Sequence, residues 1–335
     1  MQHLVPKLPK EGLAGGDAMK LASTAAGKTV LCAVLLVVPG GVLLAERPED
    51  QVSVLLDLVS SETSGQDFDV GLRTTPQVTF TGGEVVGVDL GRSVFPRLAV
   101  VFHSAGGNHF TVSFRRYNRN KEESFSSGVG FYPILVSPGT GIDFANKIGS
   151  RVSMTLETAD LSWARPMAST PKSEWLWGAG LRWLRYRSDW KTDYDSGADI
   201  VRIKDESSGV GVTFGIQGRY RFSGTVSLSG GVGVGLIKGS TDAGYAEAAP
   251  SATAGIARNN QDRIFQTLDA AARAVFSLTR HVDVSLGYQF TRTTNLLTRD
   301  RIVDNDQPTS FTIAVSSTIR DVAFDGPLLG LAVNW

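Results

Sequence analysis

At 335 residues the chain can form one large domain or two ordinary ones, and its 33 basic and 33 acidic residues cancel, so net charge points to no nucleic-acid or anionic-surface partner. A mean hydropathy of −0.02 with 42% hydrophobic residues excludes a bundle of transmembrane helices, each of which needs about 20 consecutive apolar residues. It does not exclude a transmembrane barrel, whose alternating strands average out to soluble-looking hydropathy.

The one continuous apolar run is "TVLCAVLLVVPGGVLLA" (Thr29–Ala45), preceded by Lys20 and Lys28 and followed by the acidic "ERPED". A basic flank, an apolar stretch and a small exit residue predict a secretory signal peptide over 1–45, with Met19 as the natural start and cleavage after Ala45. An uncleaved anchor is the competing reading, weakened by Pro39, Gly40 and Gly41 inside the run. The only cysteine, Cys32, lies within the leader, so the exported chain does without disulfides. Residues 46–67 read as a periplasmic segment, "QVSVLLDLVSSETSGQDFD" fitting either a short helix or a first strand.

From about residue 68 the pattern is simple: segments of about ten residues alternate apolar and polar, the period of a strand with two unlike faces. In "GVTFGIQGRYRF", Val212, Phe214, Ile216, Tyr220 and Phe222 oppose Thr213, Gln217, Arg219 and Arg221. After the Ser223-Gly224 turn, Val226, Leu228, Val232, Val234 and Leu236 oppose serines and glycines. The hairpin "IFQTLDAAARAVFSL" and "VDVSLGYQFT" repeats the arrangement, with Asp269, Arg273, Asp283 and Gln289 on the polar side. Connections alternate in length as well. Short ones fall at 104–108, 165–173, 223–224 and 279–281; long polar ones fall at 119–150, 191–206, 239–262 and 297–320. Short periplasmic turns and long outer loops are the habit of outer-membrane barrels. The aromatics of "EWLWGAGLRWLRY" (Trp175, Trp177, Trp183, Tyr186) suit an interfacial girdle.

The fold class is therefore all-β: a single antiparallel transmembrane barrel over 68–335, with about ten strands (range about 8–12). The strands fall roughly at 68–78, 97–104, 109–118, 151–165, 174–190, 208–222, 225–238, 264–278, 282–296 and 322–335. Alternation alone does not say which face is inside. A soluble exported β-sandwich or calycin-like binding module carries the same pattern turned inside out.

These residues together resemble the pore-forming outer-membrane barrels typified by the major outer-membrane protein of Legionella, in particular exported members from planctomycetes. The resemblance runs from about residue 95 to the end. It rests on "FTVSFRRYN", on "VSMTLETADLSWARP" followed by "WLWGAGLRWLRYRSDW", on "GVGVTFGIQGRYRFSGTVSLSGGVGVGL" and on the closing "DVAFDGPLLGLAVNW". It implies a pore or a surface structural protein in the outer membrane. It also implies that Leu329, Leu331, Val333 and Trp335 form a C-terminal signal read by the barrel-assembly machinery. The terminal aromatic is here a tryptophan, where a phenylalanine is usual.

Chemistry-bearing motifs are scarce. His3, His103, His109 and His281 show no metal-ligand spacing, although His103 and His109 can meet across a hairpin. "GGVGVG" (230–235) lacks the lysine and the strand-to-helix context of a phosphate loop. No catalytic residue, metal or cofactor is predicted, and a barrel-embedded enzyme is the third reading. What remains is the polar face. If it lines a lumen, Arg115, Glu157, Arg182, Gln217, Arg219, Arg221, Asp269, Arg273, Asp283 and Gln289 project into it. They then either pair across a plugged interior or line a narrow pore for small solutes, with the arginine excess favouring anions. The expected partners are outer-membrane lipid, the assembly machinery and small solutes or ions, with no nucleic acid.

Overall fold

The computed structural model describes residues 51–64, 68–73, 84–104, 106–135, 144–248, 256–304 and 313–335. Among the described residues all twelve regular elements are strands: β1 (Gln51–Ser64), β2 (Asp69–Arg73), β3 (Glu84–Gly87), β4 (Arg92–His103), β5 (His109–Pro133), β6 (Ala145–Ser169), β7 (Ser173–Tyr194), β8 (Asp199–Arg221), β9 (Val226–Ala248), β10 (Ile256–Ser277), β11 (Val282–Asp304) and β12 (Ile313–Asn334). Asp50–Trp335 form one compact unit. The leader expected over 1–45 lies outside the described residues.

Ten strands close into an antiparallel barrel in the order β1-β4-β5-β6-β7-β8-β9-β10-β11-β12 and back to β1. The first strand is not where the sequence pattern put it. Gln51–Ser64, assigned above to a periplasmic segment, pairs with β12 on one side and β4 on the other, so the barrel begins at residue 51 rather than 68. The stretch expected as strand 68–78 supplies β2, which pairs only with β3 and the far end of β5. The physical reason is pleat parity. Val52, Val54, Leu56 and Leu58 alternate with Ser53 and Asp57, a complete barrel face, whereas 68–73 buries Phe68, Val70 and Gly71 and has no lipid-facing side.

Short turns gather at one end. Phe222 N–H bonds Val226 C=O at 3.0 Å across Ser223-Gly224, and Leu278 N–H bonds Val282 C=O at 2.9 Å. The 104–108 turn needs Gly107, whose φ of 73° is a left-handed conformation that a side chain rarely adopts. At the other end most of the long polar connections turn out to be strand. β7 runs on to Tyr194 and β8 resumes at Asp199.

Strands of 22–25 residues, β5 to β12, are about 75 Å long, and at the usual tilt they rise roughly 55–60 Å. That is about twice the apolar band of an outer membrane, about 25 Å tall. The outward face follows suit. On β7 Trp175, Trp177, Leu181 and Trp183 give way to Arg185, Arg187 and Asp189; on β8, read backwards, Ile216, Phe214, Val212 and Val210 give way to Ser208 and Glu206. The inward face changes in the opposite sense. Near the short turns it carries Ser53, Ser227, Ser285, Gly231 and Gly233; beyond the switch it carries Leu184, Tyr186, Trp190, Met154, Ile237 and Phe265, all buried. The half nearest the short turns is a membrane barrel. The other half is built like a water-soluble one, apolar within and polar without.

The segment between β1 and β4 completes that upper core. Phe68 meets Trp190 edge-on at 5.3 Å, the Tyr194 hydroxyl donates to Val70 C=O at 2.7 Å, and Arg119 donates to Leu90 C=O at 2.9 Å. Where β12 meets β1, the inward Gly326 lies so close to Ser60 that an added Cβ would fall 1.8 Å from its carbonyl oxygen. Gly326→Ala is therefore expected to strain the closing seam and lower barrel stability by about 1–3 kcal/mol. The check is urea unfolding of refolded protein followed by tryptophan fluorescence; an unchanged midpoint would contradict the seam geometry.

Candidate functional site: the lumen

Several inward polar residues of the membrane half interlock across the lumen. Asp269 on β10 takes Arg182 of β7 at 2.5 Å and Arg115 of β5 at 3.2 Å, and Arg182 also holds Asp160 of β6 at 2.5 Å. Arg115 donates further to Thr158 (2.8 Å) and Thr291 (2.9 Å), and the Thr291 hydroxyl donates to Asp269 at 2.8 Å. A second cluster centres on Asp57 of β1, held by Arg273 of β10 at 3.2 Å and by Arg97 of β4 at 3.7 Å. Five of these ionic contacts thus cross between strands of opposite or adjacent walls. Charges this far buried are tolerated because they are paired.

Above the ionic layer the apolar core begins at once. A cavity of about 10 Å³, lined by Phe95, Arg115, Tyr117, Leu156, Thr291 and Phe324, sits at the junction and has room for about one water. Phe95, Tyr117 and Phe324 stack edge-on or tilted at centroid distances of 5.6 and 4.8 Å, bridging β4, β5 and β12 across the interior.

Most of the residues expected in the lumen point there. Arg115, Arg182, Asp269 and Arg273 form the network; Gln289 is buried beside it, its amide nitrogen donating to Thr291 at 3.3 Å. Arg219 donates to Ser227 at 3.0 Å, Asp283 accepts from Asn334 at 3.4 Å, and Gln217 and Arg221 are exposed on the same inward parity near the short turns. Glu157 is the exception. It faces outward and pairs with Arg116 at 3.4 Å, because Ala159, Leu161 and Trp163 share its parity and face lipid. Asp160, three residues on, takes the inward place.

Sequence reasoning missed Asp57, Arg97 and Asp160. Asp57 was legible in principle, as a lone acid on the serine face of "VSVLLDLVS", once that stretch is read as a strand. His103 and His109 do meet, paired in register with rings 4.5 Å apart, and Ser53 lies 3.1 Å from the His103 ring. Among the described residues no three His, Cys, Asp or Glu side chains are grouped to hold a metal.

The C-terminal strand closes the seam. Trp335 and Val52 exchange both backbone hydrogen bonds, at 3.0 and 3.3 Å. Leu329, Leu331, Val333 and Trp335 face outward, with Gly330, Ala332 and Asn334 inward. A closed ten-strand barrel with an apolar band, a girdle of Trp163, Trp175, Trp177 and Trp335, and a polar lumen is an outer-membrane architecture.

Comparison agrees. The family model described as the Legionella pneumophila major outer membrane protein precursor matches residues 70–335. The chain belongs to that family. It is thus an outer-membrane protein, as the resemblance of its hairpins implied. No curated protein matches it. Among solved structures it is similar to the outer membrane protease OmpT from Escherichia coli, at 12% identity and a TM-score of 0.51, covering 86% of this chain and 97% of that one. It is also similar to the translocator domain of autotransporter NalP from Neisseria meningitidis (12%, TM-score 0.38, covering 95% and 99%) and to the Ralstonia pickettii toluene transporter TbuX (12%, 0.33, covering 86% and 90%). At such identities the OmpT likeness shows the fold alone.

At the outer end, beyond the membrane, sits a different polar group. Asp199 is fully buried at the β7–β8 turn beside Glu247, which accepts from the Tyr245 hydroxyl at 2.6 Å. Burial disfavours the charged Asp199 carboxylate and the Glu247 charge repels it, so its pKa is pushed up to about 7.

Two outcomes follow from these groups. Arg182→Met leaves Asp160 and Asp269 facing each other without their shared cation, and is expected to cost about 3 kcal/mol or more in unfolding free energy, read by urea titration. For Asp199 the folded state holds a proton that the unfolded chain releases near pH 4. Its contribution to stability therefore falls as pH rises from about 4 to about 7. Asp199→Asn should flatten that part of the stability–pH curve; a mutant curve parallel to wild type would refute the assignment.

Proposed function

We propose that this protein is a closed structural barrel of the outer membrane, which carries a rigid protein-cored tower above the lipid, rather than an open conduit for solutes. The observation that supports it is the stacking of two seals in one lumen. The ion-paired layer of Asp57, Asp269, Arg115, Arg182 and Arg273 is topped by the buried side chains of Tyr117, Leu184, Tyr186, Met154 and Phe265. An open pore would need a continuous wet path, and ten strands enclose little more interior than their own side chains fill. The reading is non-enzymatic: Arg115, Arg182, Arg273, Asp57, Asp160 and Asp269 are held in ion pairs with one another. Leu329, Leu331, Val333 and Trp335 keep in this reading the role of assembly signal, lipid is the surrounding partner, and no small solute is passed.

Planar-bilayer recording of the refolded protein tests this. The expected trace is flat, with insertion verified by heat-modifiable gel migration. Discrete openings of reproducible conductance would sink the closed reading in favour of a narrow pore.

A further inference from the structure

Where the apolar belt ends, each of the ten barrel strands carries a charged residue among its first two outward side chains, and the signs are not evenly spread. Along β5–β9 the collar holds Arg116, Arg185, Arg187 and Lys238 against only two carboxylates, Glu157 and Glu206. Along β10–β4 it holds Asp262, Asp325 and Glu62 against Arg292 and Arg92. One side of the collar is basic and the other acidic.

Within the basic arc the pairing is incomplete. Arg185 and Arg187 converge on one carboxylate, Glu206, at 2.5 and 3.2 Å, so one positive charge is in excess. Lys238 is exposed, and its cross-strand neighbours are Val210 and Ile264, both apolar and lipid-facing. It has no carboxylate within 4 Å among the described residues. An ammonium set between two aliphatic side chains at the edge of the belt has to extend toward a headgroup. Directly below lie Trp183, Leu181, Val212 and Leu236, the surface on which acyl chains rest.

We propose that the β5–β9 arc of this collar binds the phosphate groups of an anionic lipid of the outer leaflet, through Arg185, Arg187 and Lys238. Guanidinium groups pair with phosphate oxygens two at a time, and the lysine adds a point charge two strands further round, on β9. Apolar contact below and excess positive charge above select a lipid phosphate over a free one. The acidic arc on the far side repels the same headgroup, so binding is confined to one side of the barrel.

The test uses the full chain refolded in zwitterionic detergent and follows the heat-modifiability midpoint as lipid is titrated in. Phosphorylated lipid A should raise the midpoint; the same lipid after enzymatic dephosphorylation, and inorganic phosphate at equal concentration, should not. Arg185→Gln with Arg187→Gln, and separately Lys238→Gln, should each weaken the apparent lipid affinity about fivefold per cation removed, while Arg292→Gln on the acidic arc should leave it unchanged. Lys238→Gln breaks no ion pair, so it decides the matter if the double variant fails to fold. An equal shift with dephosphorylated lipid or inorganic phosphate would overturn the proposal. So would equal affinity in Lys238→Gln and wild type.

Discussion

In hydrocarbon a backbone amide without a partner has no water to turn to, so a sheet that crosses a membrane must close on itself. Here the closing seam is β1 against β12, and the rest of the structure is arranged around it. Trp335 and Val52 tie the seam at the short-turn end, and Asp57 secures it from inside by reaching Arg273 on the far wall. Gly326 lets the two backbones approach, and Gly330 leaves the room that the Asp57 carboxylate and Ser285 hydroxyl fill. A terminus that ends in a large aromatic side chain is thus an edge made safe by pairing, with the indole left at the membrane interface.

Closure at ten strands has a second consequence. The lumen is narrow enough that side chains from strands not paired with each other touch, so charges in its middle find partners across the interior. Arg115, Arg182 and Asp269 do this in the membrane half, where the outer face must be apolar and the polar residues have nowhere else to go. Above the membrane the constraint reverses. Water lies outside, so the apolar side chains move in, and Leu184, Tyr186 and Trp190 take over the positions that Gly178, Gly180 and Arg182 hold lower on the same strand. The two solvents act on one continuous pleat. The soluble-barrel and membrane-barrel readings of the alternation are each correct for one half of the molecule.

The strands and their pairing were legible because a period of two survives whichever face is buried. Val226, Leu228, Val232, Val234 and Leu236 were grouped on one face from the sequence, and in the barrel they share the outward face. Legibility failed where the period could not tell which of two phases was inward. Glu157 and Asp160 lie three residues apart and cannot share a face, and the choice between them needed the position of the membrane boundary on β6. It failed again at Gln51–Ser64, where the apolar run "VLL" blurs the alternation and the closing partner lies some 270 residues away in sequence. The polar stretches 191–206 and 239–262 looked like loops, since a strand above the membrane shows water its charged side.

Alone, the sequence determined that this is an all-β chain of alternating strands, with short turns at one end and an alternating apolar strand over 329–335. These are properties of local periodicity and turn chemistry, written within a few residues of each other. Only the tertiary structure decided which strand comes first, which acids meet which arginines, and which polar side chains meet across the lumen. Each of those depends on the distance between walls of the closed sheet, a quantity that no stretch of neighbouring residues contains.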